Sequence, residues 1–139
     1  MRREIIRWSV AVLTVCTTAM PLRAHHSFAM FDLERFITLK GTVSEFHWIN
    51  PHSHIILQVA AGPGVDPNWV GEWDVECAST ITMGAQGWTR AALKPGDSIE
   101  LRANPLRNGE KGASLFYATL ANGNRLYRDI ARPAPGTEQ

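Results

Sequence analysis

The chain lacks most of the residue patterns that mark the common enzyme classes. It contains no Gly-x-Ser-x-Gly, no His-Glu-x-x-His, no paired Cys-x-x-Cys and no phosphate-binding glycine loop. These absences argue against common hydrolases, zinc proteases and nucleotide enzymes.

Long apolar runs are also scarce, since the main one, residues 8–20, has 13 residues and is interrupted by threonines. A bilayer-spanning helix needs roughly 20 residues, so we expect no stable membrane anchor.

That apolar run has the properties of an export signal. Arg2, Arg3 and Arg7 form a basic start, the apolar stretch follows, and the small residue Ala24 ends the segment. This order predicts a signal peptide over residues 1–24 and a periplasmic location for the mature protein. Cleavage after Ala19 is the alternative.

Positive charge is in short supply once the signal is removed. The mature chain keeps 10 of the 14 basic residues and 12 of the 13 acidic ones, because Arg2, Arg3, Arg7, Arg23 and Glu4 leave with the signal. The mature net charge is then about −2, with no basic block, so we expect no nucleic-acid partner.

Cysteine is scarce as well. Of the two cysteines, Cys16 lies in the signal, which leaves Cys77 alone in an oxidising compartment and excludes an intramolecular disulfide. Cys77 falls on the same alternate strand positions as Trp73 and Val75, so its side chain is expected to be buried and to act as a small hydrophobic residue. A soft ligand for copper(I) is the alternative.

Alternating apolar residues predict a β-rich domain. Strands are expected at residues 36–48, 52–60, 69–77, 98–103, 113–120 and 125–127. Ser79 or Thr80 is expected to cap a short helix between the third and fourth strands. Gly41, inside the first strand, is expected to mark a bulge or sharp bend.

This order of elements predicts a mainly β fold, a small five- to six-stranded Greek-key barrel of the OB-fold type. An immunoglobulin-like sandwich is the alternative, but it needs about seven strands and no helix at that point. Residues 25–35 are expected to form an extended arm that docks on the barrel of residues 36–130, and residues 131–139 a flexible tail.

All five histidines fall in two clusters. His25 and His26 stand just after the predicted cleavage site, and His47, His52 and His54 surround the Asn50-Pro51 turn. Any imidazole chemistry must therefore come from one cluster or both. His52 and His54, two residues apart on a predicted strand, are expected to point to the same face.

Several segments of the mature chain resemble one family. They are Ala24-His25-His26-Ser27-Phe28, Leu39-Lys40-Gly41-Thr42-Val43, Trp48-Ile49-Asn50-Pro51-His52 and Gly87-Trp88 followed by Leu93-Lys94-Pro95-Gly96-Asp97. Together they resemble a family of small exported bacterial proteins of unknown function, number 6152. The resemblance implies export and a small β-rich domain, and it supplies no activity or catalytic residue.

The histidines suggest a transition metal, copper in preference to zinc. Neutral imidazole is the commonest protein ligand for these metals. If cleavage follows Ala24, the free amine of His25 beside its own ring forms a chelating pair that suits copper(II). We therefore predict a metal carrier or accessory protein with ligands among His25, His26, His47, His52 and His54. The two clusters form one site if the arm folds back over the turn.

Two other functions remain open. The first is a metal-free module that binds a periplasmic protein or a sugar through a groove lined by Trp48, Asn50 and Trp88, although core packing is the competing role for both tryptophans. The second is a copper redox enzyme with His25 as a ligand. Glu72, Asp74 and Glu76, on one face of the third predicted strand, suggest general acid-base chemistry, but a solvated strand face explains them more simply. We expect a binding protein rather than an enzyme.

Overall fold

The alternating stretches form six strands in the computed structural model, which describes residues 28–129. The strands are β1 (Ile37–His47), β2 (His54–Val59), β3 (Gly71–Glu76), β4 (Ser98–Pro105), β5 (Gly112–Thr119) and β6 (Arg125–Tyr127). Within the described range, one α-helix, α1 (Thr80–Ala85), lies between β3 and β4. The predicted signal peptide, His25, His26 and the predicted tail lie outside the described residues.

The strands close into a barrel. They follow the order β3-β2-β1-β4-β5-β6, with antiparallel neighbours throughout. A parallel pairing of β3 with β5, from Asp74↔Gly112 to Glu76↔Ser114, closes the first five strands, and β6 is added at one edge. This is the connectivity of an OB-type Greek-key barrel with a helix after the third strand, so the predicted fold is confirmed.

Period-two alternation determines which side chains fill the barrel. In β2, Ile55, Leu57 and Val59 are buried, while His54, Ile56 and Gln58 point outward. The core also holds these residues from other parts of the chain: Leu39, Val43, Trp73, Val75, Met83, Trp88, Leu101 and Leu115. Apolar burial on this scale is the main force that stabilises a domain of this size.

The bend in β1 differs from its prediction. The register shift lies between Val43 and Glu45, not at Gly41. Gly41 instead marks a close approach, since a Cβ atom there would lie 2.5 Å from the carbonyl oxygen of Gln58 and 2.9 Å from Leu57 Cγ. Next to Gly41, at Thr42, the pairing of β1 changes from β4 to β2, since Thr42 is in register with both Ser98 and Gln58.

The third strand starts later than predicted. Trp69 belongs to a 3-10 turn, Pro67–Trp69, because Pro67 cannot donate to a strand ladder and the Asp66 side chain accepts a hydrogen bond from the Asn68 amide. At the helix, the prediction is confirmed: Ser79 is the N-cap and its hydroxyl accepts a hydrogen bond from the Thr82 amide at 3.2 Å.

The described part of the arm is attached to the end of β4. Phe31 forms an isolated β-bridge with Leu106, and the Asp32 amide donates to the Pro105 carbonyl at 2.8 Å. The Asn104 side chain donates to the carbonyl oxygens of Asp32 and Arg35 at 3.3 and 2.7 Å. These bonds place the residues around Met30 beside the parallel β3–β5 closure.

Candidate functional site

Histidines and carboxylates share the outer surface of β1, β2 and β3. The register places His47, His54 and Glu76 opposite one another, and the next row holds Glu45, Ile56 and Asp74. Ser53 is fully buried, and its backbone bonds to Ala78 and Cys77 continue the β2–β3 pairing beyond the strand end. The side chains on either side of Ser53 therefore both point outward. We call this surface the histidine face, defined by these residues: Glu45, His47, His52, His54, Asp74 and Glu76.

Each histidine of this face is paired with its own carboxylate. The Nδ1 atom of His52 lies 2.8 Å from Glu76 Oε1, and the Nδ1 atom of His54 lies 2.7 Å from Asp74 Oδ1. Because a carboxylate only accepts, the Nδ1–H of His54 donates its hydrogen bond to Asp74, and Nε2 is the acceptor nitrogen when that ring is neutral. His52 and Glu76 are at ion-pair distance through the same ring nitrogen. His47 differs, since its Nε2 atom contacts Glu45 Oε2 at 2.5 Å.

The orientation of His52 and His54 is the one found in metal-binding histidines. Such histidines almost always donate their other ring N–H to a carboxylate, a carbonyl or water, which fixes the tautomer and raises the basicity of the free nitrogen. His52 and His54 thus each offer one Nε2 lone pair on the same side of the sheet. In His47 the two nitrogens exchange roles, since Nε2 contacts Glu45 and Nδ1 is the nitrogen left for another partner.

The described residues do not form a complete metal site by themselves. Between residues 28 and 129, no group of three or more His, Cys, Asp or Glu side chains is arranged to hold a metal ion. His47, His52 and His54 share one face, but they do not converge on one point. The remaining predicted ligands, His25 and His26, fall before the first described residue.

A cavity of about 250 Å³ adjoins the histidine face. Met30 and Phe31 of the arm line one part of it, and His54, Asp74 and Glu76 line another. The arm and the histidine cluster therefore border the same space. The sequence predicts Asp74 and Glu76 to lie on a solvated strand face, with acid-base chemistry as the other interpretation, and it does not link them to the histidines. That link requires the β2–β3 register.

Comparison with known proteins shows the family of this chain. The model of the family of unknown function DUF6152 matches residues 11–115. The chain belongs to DUF6152. This match confirms the resemblance inferred from the sequence motifs. No curated protein matches the chain.

Four chains of solved structures match this DUF6152 chain. One comes from a crystal structure of TiaS in complex with an isoleucine tRNA and ATP, with 17% sequence identity and a TM-score of 0.45. The alignment covers 62% of this chain and 18% of that chain. A similarity of this size supports no conclusion about function.

The turn between β1 and β2 is attached to the start of α1. Asn50 Oδ1 accepts hydrogen bonds from the Thr80 amide at 3.1 Å and from the Thr80 hydroxyl at 3.0 Å. The Ser53 hydroxyl donates to the Ile49 carbonyl at 3.2 Å. Asn50, predicted as a groove residue, therefore has a structural role that holds the turn in place.

Replacing Asn50 with alanine removes both bonds to Thr80 and leaves a helix N-terminal amide without its acceptor. We expect the free energy of unfolding to fall by about 1–2 kcal/mol, the usual cost of losing a helix cap. Urea unfolding measures this change. Asn50→Asp keeps the acceptor oxygen and is expected to retain most of the stability; equal losses in both variants would contradict the assigned role.

The two tryptophans of the predicted groove occupy different environments. Trp88 is 2% exposed, and its Nε1–H donates to the Tyr127 carbonyl at 2.7 Å. It is a core residue, so the structure contradicts its placement on an accessible groove. Trp48 is half-buried and packs against Phe46, with ring centroids 5.8 Å apart. Trp88 also packs on Phe46, at 5.9 Å.

Cys77 is a buried free thiol, as its parity predicts. Its Sγ atom lies 3.5 Å from the Val75 carbonyl oxygen. Burial raises the pKa of the Cys77 thiol far above its usual range, and the nearby Arg128 opposes this effect only in part. A neutral, enclosed thiol is a poor nucleophile and a poor metal ligand.

This raised pKa predicts a pH dependence of stability. The unfolded thiol ionises near pH 8.5, while the folded one retains its proton at higher pH. The contribution of the Cys77 thiol to the free energy of unfolding is therefore complete below about pH 8.5. Above that pH it is lost by up to about 1.4 kcal/mol per pH unit. Urea unfolding on both sides of that pH should show a fall that is absent from Cys77→Ala. An equal fall in the variant would contradict the prediction.

Proposed function

We propose that this chain is an exported, periplasmic barrel that binds a transition metal, copper in preference to zinc, as a carrier or accessory protein. The observation that carries the proposal is the pairing of His52 with Glu76 and of His54 with Asp74, both through Nδ1. Two imidazoles on one side of the sheet are thereby each held by a carboxylate at Nδ1, which leaves both Nε2 atoms for a metal ion.

The arm supports the participation of His25 and His26. Met30 lines the same cavity as His54, and His26 precedes Met30 by four residues. An extended chain spans at most about 3.6 Å per residue, so separations of four and five residues from Met30 allow both amino-terminal histidines to reach the face. In this proposal, His52 and His54 supply two ligands, and the amino-terminal cluster supplies the rest.

The proposed ligand set favours copper. Divalent copper binds nitrogen donors more tightly than zinc does. The free amine of an amino-terminal His25, together with its ring, adds a chelating pair of nitrogens to the two imidazoles.

Export is supported by the basic and apolar pattern of residues 1–24. No helix within residues 28–129 is long and apolar enough to cross a membrane.

Copper titration of the mature chain in competition with a chelator tests this proposal. The His52→Ala and His54→Ala variants are each expected to weaken binding by about tenfold or more, and Glu76→Gln to weaken it by about 10- to 100-fold through the loss of ring orientation. His47→Ala is the matched control, because His47 lies on the same face but is not among the proposed ligands, and it is expected to change binding less than threefold, roughly 0.6 kcal/mol.

Two results would contradict the proposal. One is unchanged copper affinity in a chain that carries both His52→Ala and His54→Ala. The other is tighter binding of zinc than of copper, which would overturn the choice of metal. A chain that begins at Ser27 separates the contribution of the amino-terminal pair from that of the histidine face.

A second candidate, a metal-free interaction module, is favoured by exposed apolar residues at one end of the barrel. Ile49 is 52% exposed and Ile81 is 81% exposed, and the bonds from Asn50 to Thr80 bring their chain segments together. Neighbouring exposed apolar side chains often mark contact sites. This function predicts that Ile81→Ser abolishes binding of a partner in the presence of a chelator, whereas His52→Ala does not.

A further inference from the structure

The outer surface opposite the histidine face has different chemistry. Across β1, β4, β5 and β6, the register forms one row of Thr38, Arg102, Tyr117 and Tyr127, and a second row of Lys40, Glu100, Thr119 and Arg125. The side chains between these rows, such as Leu39, Leu101 and Ala118, are buried, so the rows point outward. We call this surface the arginine–tyrosine face, defined by these residues: Lys40, Glu100, Arg102, Tyr117, Thr119, Arg125 and Tyr127.

Two arginines of this face are held in place by aromatic rings. The Arg125 guanidinium lies 4.7 Å from the centroid of the Tyr117 ring, and the Arg102 guanidinium lies 5.1 Å from that of Phe36. Arg102 also donates to the Thr38 hydroxyl at 3.0 Å. Neither arginine forms an ion pair with a carboxylate in the described part of the chain. Their remaining N–H groups are positioned donors that an external anion can use.

An open groove of about 460 Å³ continues this face along the second row. Its polar lining includes Lys40, Thr42, Ser98, Glu100 and Thr119. The Thr119 hydroxyl oxygen is buried and has no hydrogen-bond partner among the described residues. Because this oxygen is enclosed, the polar groups that the groove offers to a ligand are those of the other lining residues.

The charge and shape of the face fit an acidic sugar chain. Tyrosine rings offer flat apolar surfaces to sugar rings, arginines bind carboxylates through paired N–H groups, and hydroxyl and carboxylate side chains bind sugar hydroxyls. Single-stranded nucleic acid also combines charge with stacking, but it needs a more continuous positive surface. Within this face Lys40 is paired with Glu100 at 3.0 Å, so the positive charge is confined to Arg102 and Arg125.

We infer that the arginine–tyrosine face binds an anionic oligosaccharide, with sugar carboxylates on Arg102 and Arg125 and a sugar ring against Tyr127, while the Tyr117 ring holds Arg125 in place. The groove beside Lys40 and Thr119 then accommodates neighbouring sugar hydroxyls. This site uses none of the histidines, so it is independent of the proposed metal function and of its ligands.

Calorimetric titration of the full protein, purified as the cell processes it, with an oligogalacturonate in the presence of EDTA tests this inference. Saturable binding is expected, and a neutral cello-oligosaccharide should bind at least tenfold more weakly, because each arginine–carboxylate contact contributes roughly a factor of ten. Arg125→Gln should reduce the affinity by about tenfold, and Tyr117→Ala should do the same because the Tyr117 ring holds the Arg125 guanidinium. Arg90→Gln, an exposed arginine elsewhere on the chain, is the matched control and should change nothing.

Four results would overturn the inference: no saturable binding of oligogalacturonate by the unaltered protein, equal binding of the neutral oligosaccharide, unchanged affinity in Arg125→Gln, or tighter binding of oligothymidylate than of oligogalacturonate. Circular dichroism verifies that each variant is folded. His52→Ala should bind the oligogalacturonate as the unaltered protein does, which keeps the test separate from that of the metal site.

Discussion

Replacing Trp88 with alanine is expected to lower the free energy of unfolding by about 3–5 kcal/mol. The indole is almost fully buried in the core and packs on Phe46. Its removal leaves a large cavity and takes the Nε1–H donor away from the Tyr127 carbonyl in β6. Both losses act together, because the same side chain fills the core and holds the last strand.

Urea unfolding followed by far-ultraviolet circular dichroism measures this loss. Trp48→Ala is the matched control, since Trp48 is half-buried, touches the same Phe46 ring and makes no side-chain hydrogen bond within residues 28–129. It is expected to cost about half as much or less. A smaller loss in Trp88→Ala than in Trp48→Ala would contradict the core role of Trp88.

Replacing Gly41 with valine is expected to cost about 3 kcal/mol or more. A Cβ atom at this position would lie 2.5 Å from the Gln58 carbonyl oxygen, a backbone atom that cannot move without disturbing the β1–β2 ladder. The added methyl groups of valine enlarge the clash. The pairing that leads into the histidine face would therefore weaken first.

Gly84→Ala is the contrasting control for Gly41. Gly84 lies within α1, and no atom lies within 4 Å of a Cβ atom built there. Alanine is expected to stabilise this position by up to about 1 kcal/mol through its higher helix propensity. Opposite shifts of the urea midpoint in the two variants support the close approach at Gly41. A neutral Gly41→Val would refute it.

Much of the fold follows from local patterns. The alternation around Leu57 and Val75 predicts which residues face the core, and the loss of alternation after Ala78, with Ser79 as a cap, predicts the helix. The bulge between Val43 and Glu45 could not be predicted in this way. Its position depends on where β1 exchanges partners, which is a property of strand pairing and not of the β1 sequence alone.

The candidate site, too, could be predicted from the sequence only in part. The spacing of His52 and His54 predicts a shared face, and the burial of Ser53 between them agrees with it. Their carboxylate partners, Glu76 and Asp74, lie on β3, and only the β2–β3 register identifies them. Trp88 stands in an irregular connector without a period, so no local pattern could distinguish a core tryptophan from one that lines a groove.

The arginine–tyrosine face could not be recognised from the sequence for a related reason. Arg102, Tyr117 and Tyr127 come from three strands, and nothing in the spacing of these residues links them. The antiparallel registers of β4–β5 and β5–β6 bring them into one row. Long-range pairing thus creates both outer surfaces of the barrel from residues whose local patterns indicate only that they point outward.

Native mass spectrometry of the protein purified from the periplasm of an exporting host tests the central claim most directly, because it reads the mature amino terminus and any retained metal together. Our account predicts a chain that starts at His25 and carries one copper ion, which is lost from a His52→Ala variant. A chain that starts elsewhere and retains no metal after copper and zinc are added would contradict the account.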